Sequence, residues 1–155
     1  MRSDQELRQL IEAVTNRPGY SRYVGTRVGE VSVGKVAMRL DRRPEVVQSS
    51  GYFHGGVIAG LADHAAGAAV TSALPPGKFC LTVNLQVNFL APADGARLEA
   101  RAEAIKVSGS ICSADVRVFS IAADDSETLC AVAFVTLRAV PMPAVPGAPQ
   151  IEGGA

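Results

Sequence analysis

Several features that mark other classes of protein are missing from this sequence. No apolar run approaches the roughly 18 residues that a membrane-spanning helix needs, so we expect no membrane partner. The first ten residues, MRSDQELRQL, contain no apolar signal-peptide core, which predicts a cytoplasmic location. The formal net charge is +0 and no basic cluster stands out, which argues against nucleic acid as a partner.

Cysteine is also scarce, and its spacing is irregular. Cys80, Cys112 and Cys130 form an odd set without the paired spacing of a metal site, so we interpret them as reduced, buried thiols rather than catalytic or bridged ones. The sequence contains no serine nucleophile elbow, Cys-His pair, phosphate-binding loop or metal-ligand cluster. We therefore expect neither a metal nor a cofactor.

The apolar residues that are present suffice for one globular domain. They make up 48% of a chain of 155 residues and are dispersed along it. Ser3 and Glu6 form a capping-box pattern, which predicts an amphipathic N-terminal helix over about residues 4–16, packed as a lid against the fold. We place one domain over residues 1–139, followed by a flexible tail over residues 140–155, which are rich in Pro, Ala and Gly.

Strand patterns occupy most of the remaining chain. Alternating residues predict two strands between Thr26 and Leu40, and three more over about 97–107, 111–122 and 128–138. The clearest alternation runs from Phe79 to Phe89, where odd-numbered positions are apolar and the even-numbered ones from Thr82 onward are polar. We expect the apolar side to meet the core, and the polar side to suit a dimer interface, a ligand groove or solvent.

One long helix is predicted between the two groups of strands, from about Gly55 to Leu74. Tight turns between consecutive strands favour an antiparallel sheet, and one long helix packed against such a sheet gives an α+β fold. The helix opens with a His-Gly-Gly step, and free backbone N–H groups at a helix start bind developing negative charge. Asp63 follows eight residues after Gly55, and a carboxylate inside a helix of small residues is costly to bury without a function or a partner. Together these residues predict acyl chemistry.

The neighbours of Asp63 on the helix surface are small. At 100° per residue, the bulky side chains at the start of the helix point towards the opposite side and should face the sheet: Val57, Ile58 and Leu61. Those near Asp63 are Gly56, Ala59, Gly60, Ala66, Gly67 and Val70. A partner element or a substrate should therefore approach this face closely. The alternative is tight helix packing alone, with Asp63 paired to an arginine.

The spacing of Gly55 and Asp63 implies two copies of the chain. Eight residues of helix separate them by about 12 Å, so one carbonyl group cannot lie about 3 Å from both in the same helix. If the two residues act together, they come from different subunits. We therefore expect a two-fold dimer with two equivalent sites at its interface.

The segments HGGVIAGLAD and TVNLQVNFLAP resemble the hot-dog-fold acyl-CoA thioesterases of the phenylacetate-degradation (PaaI) type, over roughly residues 25–138. The resemblance implies an antiparallel sheet wrapped around one central helix, and hydrolysis of aryl- or short- to medium-chain acyl-CoA. Coenzyme A would then be part of the substrate. It also implies a homodimer as the minimal active unit, with two dimers paired in a homotetramer. Two alternatives stay open: a non-catalytic acyl-CoA-binding or sensing protein, and a hydratase or dehydratase.

The resemblance assigns catalytic roles to five residues. Asp63 takes the catalytic acid position, as the base for water or as the nucleophile, and Thr82 helps to hold the attacking water beside it. The Gly55 N–H polarises the thioester carbonyl, and Gln48 orients the water or the substrate. His54 either binds the carbonyl or orients the loop. Asp63 and Thr82 would come from one subunit, and Gln48, His54 and Gly55 from the other.

Further residues are candidates for contact with the substrate. Gly56 and Gly60 lie on the small-residue face of the helix, and Asn84 on the polar side of the strand. The phosphates of coenzyme A call for basic residues, for which Lys106, Arg117 and Arg138 are candidates by strand position, and Gly109 lies in a turn that often borders the coenzyme in this fold. The alternative for each charge is a solvated surface. His64 points about 100° away from Asp63, so we expect no catalytic Asp-His pair.

Overall fold

The structure is a computed structural model, and it describes residues 2–142. Helix α1 spans Asp4–Thr15 and begins with the predicted capping box, in which the Glu6 N–H donates to Ser3 Oγ at 3.3 Å and the Ser3 N–H donates to the Glu6 carboxylate at 2.7 Å. A short second helix, α2 at Tyr20–Val24, was not predicted. It lies between two glycines and is too short to carry a periodic apolar pattern.

The six strands are β1 Arg27–Ser32, β2 Lys35–Asp41, β3 Lys78–Phe89, β4 Arg97–Lys106, β5 Ile111–Ile121 and β6 Glu127–Pro141. They form one sheet in the order β1-β2-β4-β5-β6-β3, with every neighbouring pair antiparallel. The long helix α3, Gly55–Ala73, connects β2 to β3 and packs against the sheet. This architecture confirms the predicted α+β hot-dog fold.

Helix α3 presents its bulky side chains to the sheet, as predicted. Val57, Ile58 and Leu61 are buried in the core. Ala66 and Val70, which the helical geometry groups with Asp63, are fully buried as well. The sheet wraps around the helix, and α3 contacts strands on both sides of it, so more of its circumference is covered than a flat sheet would cover. None of the helices within residues 2–142 combines the length and the hydropathy of a membrane-spanning segment.

Strand β3 departs from strict alternation at Val83. Thr82 pairs with Leu137 and Asn84 pairs with Thr136, so Val83 is an extra residue that forms a bulge. One extra residue moves the following side chains to the opposite face of a strand. The prediction of a single apolar face is therefore wrong for the first half of β3, where Leu81 and Val83 are 54% and 60% exposed.

The C-terminal strand is longer than predicted. Val140 pairs with Phe79, and Pro141 pairs with Lys78, so β6 extends into the segment that we assigned to the tail. The reason is that β3 begins at Lys78, and backbone pairing with the first residues of β3 keeps the end of β6 in the strand conformation. The rest of the predicted tail, residues 143–155, lies outside the described residues.

Candidate functional site

The start of α3 is anchored by the loop before it. The His54 N–H donates to the Val46 carbonyl at 3.0 Å, and the Arg42 guanidinium donates to the Gly51 carbonyl and lies 5.6 Å from the centre of the Phe53 ring. Phe53 itself is buried. Gln48 lies in this loop with its side chain exposed, at the same end of α3 as His54 and Gly55.

His54 is the N-cap of α3. Its Nδ1 accepts a hydrogen bond from the Gly56 N–H at 2.9 Å, so the neutral ring carries its proton on the exposed Nε2. A Cβ atom at Gly56 would lie 3.0 Å from His54 Nδ1, so any larger residue at position 56 would crowd the imidazole ring. The Gly56 N–H is therefore occupied, whereas the Gly55 N–H has no hydrogen-bond partner among residues 2–142. Whether His54 also contacts a substrate stays a prediction.

Phe89 borders Gly55. A Cβ atom at Gly55 would lie 3.3 Å from Phe89 Cζ, so the ring packs directly on the backbone of this glycine. Phe89 is itself 56% exposed, at the end of β3. The first N–H group of α3 is thus bordered on one side by an aromatic ring. An apolar neighbour strengthens electrostatic interactions at this N–H because it excludes water.

Asp63 lies two turns further along α3 and is bonded to Thr82. Thr82 Oγ1 donates to Asp63 Oδ1 at 2.7 Å. The bulge at Val83 places the Thr82 side chain on the helix side of β3, where strict alternation would have turned it away. Within residues 2–142 Asp63 forms no salt bridge, so the alternative in which it pairs with an arginine is wrong. No donor among residues 2–142 bonds to Asp63 Oδ2, so this oxygen can accept another hydrogen bond.

Asp63 and Thr82 lie in the wall of a half-open cleft of about 550 Å³ between α1, α3 and the start of β3. Most of the surface that lines the cleft is apolar, and the residues that contribute to it include Leu10, Ile11, Ala13, Val14, Ala68, Phe79, Leu81 and Met142. A larger depression, of about 800 Å³, lies on the outer face of the sheet among charged residues that include Arg117. Neither Asp63 nor Thr82 lines that depression, so we assign the site to the cleft.

His64 binds the corner between α1 and α2. Its Nε2 lies 2.9 Å from Thr15 Oγ1, and its Nδ1 lies 3.2 Å from Ser21 Oγ. Burial lowers the pKa of His64, which the nearby Asp63 carboxylate partly offsets. Both ring nitrogens are engaged by hydroxyl groups, which confirms that His64 is not paired with Asp63. No local sequence signal links His64 to Thr15 and Ser21, because the contact joins distant segments.

The side chain that approaches the small-residue face of α3 is that of Tyr20, the first residue of α2. A Cβ atom at Gly60 would lie 2.8 Å from Tyr20 Oη and 2.9 Å from its Cε1. The expectation that something approaches this face closely is confirmed for Gly60, and the element is α2 of the same chain. The role of Gly60 as a substrate contact stays a prediction. Tyr20 is 53% exposed, and the partial burial of its side chain raises the pKa of its hydroxyl group.

The three cysteines are free, as predicted, but they differ in burial. Cys112 and Cys130 are fully buried, whereas Cys80 is only partly buried and lines the cleft. Cys80 Sγ donates to the Gly67 carbonyl at 3.3 Å and lies 3.3 Å from Thr71 Oγ1. Burial raises the pKa of Cys80, so this thiol stays protonated at neutral pH and is a poor nucleophile.

The structure does not bring the remaining candidates together with Asp63. Asn84 is exposed on the face of β3 turned away from α3, and Lys106 is exposed at the end of β4. Gly109 has a φ of 74° in the turn between β4 and β5, a conformation that favours glycine. Arg138 is exposed on β6 and pairs with Leu81, beside the cleft.

Comparisons with known proteins identify the family of the chain. Residues 50–125 match the model of the thioesterase superfamily. The chain is 28% identical over 119 residues to the 1,4-dihydroxy-2-naphthoyl-CoA hydrolase of Listeria monocytogenes, covering 77% of this chain and 94% of that protein. It is 32% identical over 130 residues to a candidate esterase of Halobacterium salinarum, covering 79% of this chain and 85% of the relative.

A crystal structure from Silicibacter pomeroyi, described as a thioesterase family protein, superposes with a TM-score of 0.82 at 27% identity. The match covers 88% of this chain and 99% of that one. The resemblance carried by HGGVIAGLAD and the following strand is thereby confirmed. The chain belongs to the thioesterase superfamily, as a thioester hydrolase with the hot-dog fold.

Proposed function

We propose that the protein hydrolyses acyl-CoA thioesters, with Asp63 as the acid group and the Gly55 N–H of a second copy as the oxyanion donor. The observation that carries this proposal is the hydrogen bond from Thr82 to Asp63 in the wall of an apolar cleft. That bond fixes one carboxylate oxygen, and within the described residues the other oxygen has no donor. A fixed carboxylate beside an apolar cleft suits attack on an acyl carbonyl.

Two routes use Asp63 differently. As a general base, its free Oδ2 takes a proton from water while the water oxygen attacks the carbonyl carbon, and collapse of the oxyanion expels the coenzyme A thiolate, which is then protonated. As a nucleophile, Oδ2 attacks the carbon itself, the thiolate leaves, and water hydrolyses the resulting anhydride. Single-turnover hydrolysis in ¹⁸O water tests the nucleophile route. Label found in the Asp63 side chain establishes it, because water then attacks the Asp63 carbon of the anhydride. Label found only in the product acid arises from the base route and also from water attack on the acyl carbon of the anhydride, and rapid-quench detection of an acyl-Asp63 anhydride separates these two cases.

The oxyanion donor is proposed to come from a second subunit. Gly55 and Asp63 lie in the same helix about 12 Å apart, too far for one carbonyl to contact both. The free N–H of Gly55 and the positive end of α3 would stabilise the oxyanion, and the Nε2–H of His54 offers a second donor. Gln48, exposed in the loop before His54, would orient water or substrate from the same side.

Strand β3 supports the proposed dimer. It forms an edge of the sheet, and its exposed residues include Leu81, Val83 and Phe89. An exposed edge strand with apolar side chains is poised to pair with another strand, and a second copy of β3 would cover it. We propose a homodimer, with two dimers in a homotetramer. Light scattering coupled to size-exclusion chromatography tests both, and a monomeric active protein would refute the shared site.

The substrate class is proposed to be aryl- or medium-chain acyl-CoA. The relative from Listeria monocytogenes is named as a hydrolase of a naphthoyl-CoA, and the cleft beside Asp63 is mostly apolar. Lys106 and Arg138 are exposed cations near the cleft end of the sheet that could contact the phosphates, and the turn at Gly109 could border the coenzyme. Asn84 and Gly56 remain candidate contacts across the dimer interface.

The decisive experiment follows free-thiol release from a panel of aryl- and alkyl-acyl-CoA substrates. Asp63→Asn keeps the shape of the side chain and removes its charge, and should lower kcat by about 10²–10⁴-fold. Asp115→Asn, on the outer sheet face, is the matched control and should leave kcat unchanged. Full activity in Asp63→Asn would refute the site. Tight binding of acyl-CoA without turnover in the wild type would establish the non-catalytic alternative.

A further inference from the structure

We propose that the acyl group extends from Asp63 towards the C-terminal half of α3, beneath helix α1, and that α1 sets the upper limit on its size. The proposed occupant is a bulky apolar acyl group, either a bicyclic aryl group or a medium-length alkyl chain. This inference rests on the proposed function. It assigns a specificity role to an element that lies outside the matched family region.

The opposite direction along α3 is blocked. One turn before Asp63, Tyr20 packs against Gly60 so closely that even a Cβ atom there would lie 2.8 Å from its hydroxyl oxygen. An acyl group that ran along the small residues towards the helix start would collide with this ring. One turn after Asp63, a Cβ atom at Gly67 would meet nothing within 4 Å among residues 2–142. The open path from the carboxylate therefore leads past Gly67.

That path is an apolar cleft of adequate size. A cavity of about 150 Å³ holds a benzene molecule, whereas this cleft has a volume of about 550 Å³. Val14 of α1 and Leu81 of β3 are 46% and 54% exposed although both line the cleft. Large apolar side chains exposed in one concave site favour an apolar ligand. Two polar side chains that also line the cleft, Thr71 and Cys80, are already hydrogen-bonded to each other.

Helix α1 forms a fixed wall of this cleft. Leu7 and Ile11 are buried beneath it, and Thr15 at its C-terminal end is bonded to His64 of α3. Arg8 donates to the Gly29 carbonyl at 2.6 Å, which ties the helix to β1. Leu10 and Val14, on the cleft side, therefore cannot withdraw easily when a larger acyl group enters. A fixed wall discriminates by size.

The test compares acyl groups of different size in a variant with a narrower cleft. Val14→Trp fills the cleft from α1, and Gln5→Trp, exposed in the first turn of the same helix, is the matched control. We expect Val14→Trp to lower kcat/KM for octanoyl-CoA and naphthoyl-CoA by about 10- to 200-fold and to leave acetyl-CoA unchanged. Gln5→Trp should change none of them. An unchanged selectivity in Val14→Trp, or an equal loss for all three substrates, would overturn the inference.

A second readout does not depend on catalysis. Cys80 lines the cleft and is more exposed than Cys112 and Cys130, so its alkylation at alkaline pH reports whether the cleft is occupied. The non-hydrolysable thioether S-octyl-CoA should slow this alkylation in the wild type but not in Val14→Trp, and coenzyme A alone should not slow it. Equal alkylation with and without the thioether would overturn the inference.

These two readouts separate failure of the inference from failure of the proposed function. A wild type that hydrolyses none of the three thioesters refutes the proposed function. Protection of Cys80 by S-octyl-CoA would still support the acyl site in that case. A wild type that hydrolyses all three, with Val14→Trp showing the same selectivity, refutes the acyl site alone.

Discussion

Thr82 donates a hydrogen bond to Asp63 across the gap between β3 and α3, at 2.7 Å. The bulge at Val83 makes this contact possible, because it turns Thr82 towards the helix while Leu85 and Val87, after the bulge, still pack against the core. The orientation of the proposed catalytic carboxylate thus depends on one extra residue in a strand.

The hydroxyl of Thr82 is expected to matter more than its bulk. Thr82→Val keeps the shape and loses the donor, and a hydrogen bond to a charged group is worth about 1.5–3 kcal/mol, so kcat should fall by about 10- to 100-fold. Thr82→Ser retains the donor and should stay within a few-fold of the wild type. Steady-state kinetics on both variants measures this difference. Equal rates in the Val and Ser variants would show that the hydroxyl does not orient Asp63.

Much of the fold follows from local sequence patterns. The features that do not follow from them depend on contacts between distant segments of the chain. The capping box at Ser3 and the alternation in the strands are local signals, and they predict α1 and all six strands. The bulge is not visible in the sequence, because the apolar alternation continues through Val83 without a break. It arises from the pairing of β3 with β6, where Thr136 and Leu137 set the register.

In the site, too, some features follow from local sequence signals and others depend on contacts between distant segments. The N-cap of α3 and the placement of Asp63 two turns later follow from the sequence, because both lie in one helix. The packing of Tyr20 on Gly60 and the bonds from Thr15 and Ser21 to His64 join segments more than 30 residues apart. Tertiary packing decides such contacts, and the glycine at position 60 is the signal that could have suggested a close neighbour.

Alanine at Gly60 and at Gly67 should have opposite consequences. Alanine is about 1 kcal/mol more favourable than glycine inside a helix. A Cβ atom at Gly67 meets nothing within 4 Å in the described part of the chain, so Gly67→Ala should stabilise the fold by about that amount. At Gly60 the new methyl group displaces Tyr20, so Gly60→Ala should give no gain. In a Tyr20→Ala background, Gly60→Ala should recover about 1 kcal/mol. Urea unfolding of the four variants measures the coupling, and equal gains in both backgrounds would contradict the close packing.

Acidification should weaken the fold through His64. Burial holds the pKa of His64 below its ordinary value of about 6.5, so the unfolded chain binds a proton more readily than the folded one. This contribution to stability is complete above about pH 6.5 and is lost as the pH falls towards the folded pKa. Urea unfolding at pH 7.5 and pH 5.5 should show the loss in the wild type. His64→Gln should show a smaller loss over the same interval, and an identical pH dependence would rule out His64 as its source.

Glu99 should be the most sensitive carboxylate on the outer face of the sheet. Its side chain is 8% exposed and accepts from Arg39 Nε and Arg101 Nε, both at 2.6 Å. Burial alone would raise its pKa, but the two guanidinium groups outweigh burial and hold the pKa of Glu99 below its usual range. Glu99→Gln removes the charge that both arginines bind. Because the arginines remain partly solvated, we expect a loss of about 1–3 kcal/mol in the free energy of unfolding.

The matched control for Glu99 is Glu103 on the same strand. Glu103 pairs with Lys35 at 3.1 Å, but its side chain is 61% exposed, so water and salt screen the pair. Glu103→Gln should therefore cost less than about 1 kcal/mol. Urea unfolding at low and high salt distinguishes the two sites, since the loss at Glu99 should persist in high salt and the loss at Glu103 should vanish. Equal losses in the two variants would mean that the burial of Glu99 contributes nothing to its ion pairs.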